Sequence, residues 1–250
     1  MTDDFTNTAA AFPDGFRLMV RDEAGSTNDE VRALAEGGAP GGLVLLALNQ
    51  TAGRGRRGAA WFSPAGESLA FSILIRPQES KALWPRLALA TGLAVAEAVE
   101  SFGPAAGIKW PNDVWIRRRK VAGILVEAGA DFAVIGIGLN VNTTEFSPEI
   151  EEIATSIKTE IRQEISRADV LGAIIRRFAI RHQQIGVGFD YLIESVQERC
   201  VLTGQRVSLI TSLGMRFGTV HGIAPGGELQ LSTPAGIENL LQADEIRILD

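Results

Sequence analysis

The stretch Gln50-Thr51-Ala52-Gly53-Arg54-Gly55-Arg56-Arg57-Gly58, with Trp61 just beyond it, decides how this chain is read. Gly53-x-Gly55-x-x-Gly58 has the lettering of the dinucleotide-binding fingerprint. That fingerprint needs a helix opening at its third glycine, to point an N-terminus at a pyrophosphate. Here the chain continues Ala59-Ala60-Trp61-Phe62-Ser63-Pro64, and Pro64 with Gly66 reads as a turn. A doubly wound nucleotide fold is therefore set aside. Glycine lets backbone approach a ligand closely, and arginine brings a planar fork of donors matched to carboxylate and phosphate. In a chain of 250 residues with net charge -6, this cationic loop reads as a local anion clamp, not as a nucleic-acid surface. The plain alternative is a solvated basic turn.

Outward from the loop, hydrophobic periodicity sets the elements. Upstream, the apolar run 43–48 predicts a buried strand, and Thr27-Asn28-Asp29-Glu30 predicts a capping box on a helix over 28–36. A first strand is expected at 16–22, behind a frayed leader over 1–15. Downstream, strands are expected at 68–75, 107–110 and 132–139, with a hairpin of 114–116 and 121–127. Apolar residues at helical spacing predict helices over 84–102, 167–185 and 191–199. The pattern then changes. Short strands at 205–210, 215–223, 228–231, 237–241 and 246–249, split by Gly, Ser and Pro turns, predict a small β-barrel. The fold class is α/β (α+β), with a large unit over 16–200, a small one over 201–250, and the boundary at 200–204.

Composition narrows the chemistry. At 46% hydrophobic and 22% charged residues, this is an ordinary globular chain. Cys200 is the only cysteine, so there is no internal disulfide and no cysteine-based zinc site. His182 and His221 stand far apart, without neighbours at metal spacing, and no resident metal is expected. The first eleven residues have no apolar core for a secretory signal, and the apolar stretch 87–99 is too short to span a bilayer. A cytoplasmic protein without membrane contact is expected.

Four further motifs carry polar groups at the ends of apolar runs. In Lys109-Trp110-Pro111-Asn112-Asp113, a lysine closing a buried strand is costly unless paired or used; otherwise it snorkels beside a capped turn. In Lys120-Val121-Ala122-Gly123-Ile124-Leu125-Val126-Glu127, a glycine inside a strand marks either close ligand approach or a bulge. Asn140, after Gly136-Ile137-Gly138-Leu139, offers a donor and an acceptor, or forms a turn. Ser26-Thr27-Asn28 caps a helix and is free to face a pocket as well. The basic run Arg117-Arg118-Arg119-Lys120 reads as a solvated hairpin turn.

Taken in order, these motifs resemble the biotin protein ligases, the biotin–[acetyl-CoA-carboxylase] ligases, from Ser26 to the C-terminal barrel. The resemblance implies a mixed-sheet biotin/lipoate ligase-like catalytic domain followed by a small SH3-like β-barrel. It implies that biotin and MgATP give biotinyl-5′-AMP and pyrophosphate, and that a lysine of a biotin carboxyl carrier domain then takes the biotinyl group. By motif, Ser26, Thr27, Asn28 and Gln50 would line the biotin pocket, with Gly123 beside the ureido ring. Arg54, Gly55 and Arg56 would close over carboxylate and phosphate, and Lys109 would bridge the two. Trp61, Asn112 and Asn140 would serve the nucleotide. Catalysis would rest on Lys109, Arg54 and Arg56, with no side-chain nucleophile, since the substrate carboxylate attacks. Magnesium would come with ATP only. The acceptor would belong to acetyl-CoA carboxylase or a related carboxylase. A homodimer is compatible with the family's habit, though no edge strand is identifiable in the sequence. Ala59 and Ala60 stand where many relatives carry basic residues, which bears on loop closure. The roughly 25 residues before Ser26 leave no room for a helix-turn-helix of roughly 60 residues, so the short form without operator binding is expected. Rival readings are a lipoate or octanoate ligase, a non-enzymatic biotin sensor, and an RNA binder using the Gly/Arg cluster. The barrel either packs as a cap or helps hold ATP or the acceptor.

Overall fold

Residues 43–46 are all buried, although alternate residues of a strand point to opposite faces. Both faces are therefore covered. They open β2 (Leu43–Gln50), which runs parallel to β1 (Arg17–Ala24) and antiparallel to β3 (Ser68–Ile75). The computed structural model describes residues 3–212 and 214–249. Met1 and Thr2 of the expected leader, and Leu213 and Asp250 of the expected barrel, lie outside the described residues.

With β4 (Gly107–Lys109), β5 (Asp113–Ile116), β6 (Arg119–Ala128) and β7 (Ala133–Asn140), these strands form one seven-stranded sheet. Its order is β1-β2-β3-β7-β6-β5-β4, so β1 and β4 are its edges. The β1–β2 pair is parallel and the other pairs are antiparallel, which makes the sheet mixed. The crossover from β1 to β2 is α2 (Thr27–Glu36). Its Val31 and Ala35 pack with Leu43, Leu45, Leu74 and Val134 on one face. The other face carries Val44, Leu46, Phe71, Ile73 and Ile135 against α3 (Arg86–Glu100), α5 (Arg167–Arg181) and α6 (Phe189–Arg199). Parity within each strand thus sorts side chains between two apolar layers. Arg76, just after β3, donates to the carbonyls of Ala35 in the last turn of α2 and of Ala39 beyond it, tying the helix end to the sheet.

Two expectations are corrected. The leader is not frayed over its described part, because Phe5–Ala10 forms α1. Asp3 accepts from the nearly buried Arg167, 164 positions away, and the Phe5 ring lies 5.7 Å from that guanidinium. The capping box is not made either. Ser26 sits at the N-cap of α2 without a side-chain cap bond, and the Thr27 N–H donates instead to Gln50 Oε1 at 3.0 Å. A side chain from the end of β2 does the capping.

The polar stretch between β7 and α5 holds one short helix, α4 (Ile157–Ile161). After α6 the chain enters a five-stranded antiparallel sheet of β8 (Arg206–Thr211), β9 (Gly214–Ile223), β10 (Leu229–Thr233), β11 (Gly236–Leu240) and β12 (Glu245–Ile248), in the order β11-β10-β9-β8-β12. Its Val207, Leu209, Leu229 and Ile246 belong to the same apolar cluster as Val44 and Phe71. Trp110 Nε1 donates to the Gly227 carbonyl at 2.9 Å, and Gln197 donates to the Ile223 carbonyl, seating this sheet on the larger unit. Among the described residues, no helix is long and apolar enough to cross a membrane.

Candidate active site

The row Val134, Gly136, Gly138 runs along the α2 face of β7, and it loses its side chains just beyond the helix. A Cβ on Gly136 would collide with Asn28, and one on Gly138 with the Trp61 indole. Gly123 pairs with Gly138 across β6 and β7, and a Cβ there would meet Lys120 Nζ at 3.1 Å and Trp61 at 3.2 Å. Three glycines thus make a bare floor on the sheet. Around it lies a cleft of ≈ 840 Å³, part of it open to solvent. Its walls include Ser26, Thr27, Asn28, Gln50, Arg54, Gly55, Arg56, Trp61, Asn112 and Gly123. These are ten of the twelve residues expected at the site.

The other two stand apart. Lys109 does not line the cleft; its ammonium lies 4.6 Å from the Trp115 ring, toward the C-terminal sheet. Burial pushes this lysine below its usual value; Asp113 and Glu245 oppose the shift, and Lys120 adds to it. Asn140 is buried and donates to the Thr155 carbonyl at 3.0 Å, tying β7 to the following loop.

The basic run places Lys120 in a solvated turn by sequence, but the structure puts it in the cleft wall. A β-bulge explains the difference. Val114 pairs with Ala122 but Trp115 pairs with Lys120, so β6 carries one residue more than β5 at Val121. Strict alternation would give Lys120 the parity of Ala122 and Ile124, which face the core. The extra residue turns it to the face of Gly123 instead. Its Nζ bonds Asp113 at 2.7 Å and lies 5.6 Å from the Trp61 ring. Its backbone is clamped by Ile153 and Thr155. Sequence carried one hint, the bulge alternative already attached to Gly123.

A buried polar chain supports the opposite wall. Ser72 Oγ donates toward Thr27 Oγ1 at 2.7 Å and lies 2.6 Å from Asn28 Oδ1. Asn28 Nδ2 donates to Glu127 at 2.6 Å, across 99 positions. Glu127 also receives Arg54 at 3.4 Å, and Arg54 grips Asp29 through two bonds of 2.5 Å. The bound guanidinium holds the Asp29 carboxyl below its ordinary value, and the same bond raises Arg54. Arg56 donates to Asn112 Oδ1 at 3.2 Å, while Asn112 donates to the Ile124 carbonyl at 2.8 Å. Asp29, Asp113, Glu127 and Asp244 were not among the expected site residues. The cleft walls carry Arg54, Arg56 and Lys120 against Asp113 and Asp244, an excess of cations suited to an anion.

Residues 25–142 match the model of the Biotin/lipoate A/B protein ligase family. The chain is 34% identical over 239 residues to the bifunctional ligase/repressor BirA of Bacillus subtilis, covering 92% of this chain and 74% of that one. It is 34% identical over 223 residues to the biotin–[acetyl-CoA-carboxylase] ligase of Paracoccus denitrificans, covering 84% and 92%. The biotin protein ligase of Aquifex aeolicus, solved with biotin and ATP, superposes with a TM-score of 0.85 at 31% identity, covering 93% and 99%. With identity at this level across nearly the whole of both chains, and with the same fold, the chain belongs to the biotin protein ligase family.

Proposed function

We propose that this chain joins biotin to protein in two steps. It activates biotin with ATP to biotinyl-5′-AMP, and it transfers the biotinyl group to a lysine of a biotin carboxyl carrier domain, in acetyl-CoA carboxylase or a related carboxylase. The observation that carries the chemistry is the convergence of Lys120 and Arg56 beside a glycine floor. In the first step a biotin carboxylate oxygen attacks the α-phosphorus, and the bond to pyrophosphate breaks. At about 4 Å and an effective dielectric near 20, two unit charges repel by about 4 kcal/mol. Lys120, oriented by Asp113, and Arg56, oriented by Asn112, offset that repulsion and stabilise charge at phosphorus. In the second step the acceptor amine attacks the acyl carbon and AMP leaves.

In this reading the bridging role that the resemblance gave Lys109 falls to Lys120. Ser26, Thr27, Asn28, Gln50 and Gly123 hold the biotin ring. Trp61, Asn112 and Arg56 serve the nucleotide, and Arg54 ties the loop to the biotin side. Lys109 and Asn140 support the walls from behind. Magnesium would enter with ATP and would supply neutralisation of its phosphate charge. The protein works in the cytoplasm, without DNA. The β1 edge is where two copies would join sheets into a homodimer, since the β4 edge is bridged by Cys200 of the same chain.

The test is mass spectrometry after incubation with biotin and MgATP, with and without a carrier domain. A retained biotinyl-adenylate and one biotin per carrier are expected. An adenylate with lipoate or octanoate but none with biotin moves the chain to the sister activity. No adenylate with any acid removes the enzymatic reading.

A further inference from the structure

The Gly/Arg loop is held at both ends by carboxylates, and one of them comes from the C-terminal sheet. Arg54 reaches Asp29 on α2. At the far end, Arg56–Gly58 forms a 3-10 turn in which Arg57 takes the left-handed backbone region, φ 56°, a conformation uncommon outside glycine. The result is a fork. Arg56 donates to the Ala243 carbonyl at 2.9 Å, and Arg57 forms an ion pair with Asp244. Two successive arginines of the loop thus grip two successive residues just before β12. Their anchor is rigid, since the Asp244 N–H donates to the Ile210 carbonyl of β8 at 2.7 Å and its side chain is 14% exposed. The backbone bonds of Gly55, Ala59 and Trp61, by contrast, close on the loop itself.

Asp244 also lines the cleft. A carboxylate there repels a polyphosphate unless it is paired, and Arg57 pairs it. We propose that Asp244 is a positioning residue: by holding Arg57 it keeps the loop over the cleft, so that a reactive acyl-adenylate stays shielded until the acceptor amine arrives. The C-terminal sheet then acts as the loop's latch instead of as a packing cap. The inference rests on the proposed biotin-activating function for its second readout only.

The experiment is hydrogen exchange on the full chain, without ligands, for wild type, Asp244→Asn, Arg57→Gln and the double variant. Exchange over residues 53–61 rises about two- to fivefold in each single variant, the scale of an exposed ion pair, and no further in the double. Exchange in β3 and α3 is unchanged, which controls for misfolding, and Asp244→Glu stays near wild type. With biotin and MgATP, the share of the adenylate formed that is released into solution rises by a similar factor in Asp244→Asn. Wild-type exchange in both single variants, or additive effects in the double, overturns the latch. If wild type forms no adenylate, the proposed function falls and the exchange result still decides the latch.

Discussion

Along β7, Ile135 and Leu139 point into the apolar layer under α3 and α5, while Gly136 and Gly138 face the cleft. On the first side every position is filled; Ile135 and Leu139 have no solvent exposure. On the second side the same strand is stripped to backbone, so that Asn28 and Trp61 can lie against it. Packing and recognition thus alternate residue by residue within one strand. A substitution on one face is expected to change stability and spare the chemistry, and one on the other face to do the reverse.

The largest effect is expected at Lys120. Lys120→Gln lowers the rate of adenylate formation by roughly 10²–10³-fold, the scale seen when one group stabilising transition-state charge is removed. Pyrophosphate release reports the loss, and the melting temperature changes little. A variant that keeps wild-type adenylation breaks the assignment of the cleft cation.

Next, Ile135→Ala costs about 2–5 kcal/mol by cavity formation, measured by urea unfolding, while the KM for biotin is unchanged. Gly138→Ala is its mirror image. The new methyl displaces Trp61, so the KM for ATP rises with little change in the unfolding midpoint. If Gly138→Ala destabilised as much as Ile135→Ala, the division between the faces would not hold.

A smaller effect is expected at Arg56. Arg56→Gly removes the bonds to Asn112 and Ala243, and adenylate escapes about tenfold faster, the scale of a lost charged hydrogen bond, labelling bystander lysines. An unchanged release rate would count against the clamp.

The smallest concerns Lys109. Its folded value lies below the unfolded 10.5 because of burial. Between the two values the unfolded chain binds more protons, so stability rises with pH through that window. Wherever the lysine is charged in both states, its burial weighs against folding. Lys109→Met is therefore expected to raise the melting temperature at pH 7 by roughly 2–4 °C, and to abolish the alkaline rise below pH 10.5. A lower melting temperature in that variant would mean that Asp113 and Glu245 outweigh desolvation.

Sequence was a good guide wherever one periodic segment carried the signal. The buried run of β3, the long helices α3 and α5, and the short strands after 205 follow directly from apolar spacing. What it did not reveal depends on partners far along the chain. The short helix α1 stands on Asp3 meeting Arg167, and Thr27 is capped by Gln50 rather than by its own neighbours. Glu127, which receives Asn28 and Arg54, ends the Lys120–Glu127 motif, but nothing in that motif tells of partners 99 and 73 positions away. Lys120 was hidden for another reason: alternation assigns it the wrong face unless the bulge at Val121 is known. Lys109 has the more suggestive motif and the less central position.

That bulge makes the cation of this cleft a matter of counting. Were Val121 to pair with Trp115 in plain alternation, the chain would keep every residue and the same net charge, yet its lysine would swing under α3, among Ile108 and Val114. The change is a one-residue slip in pairing, with nothing altered in the sequence. Inside β6 it reverses the parity of what precedes it, so the register of the strand there encodes chemistry as firmly as the residues do.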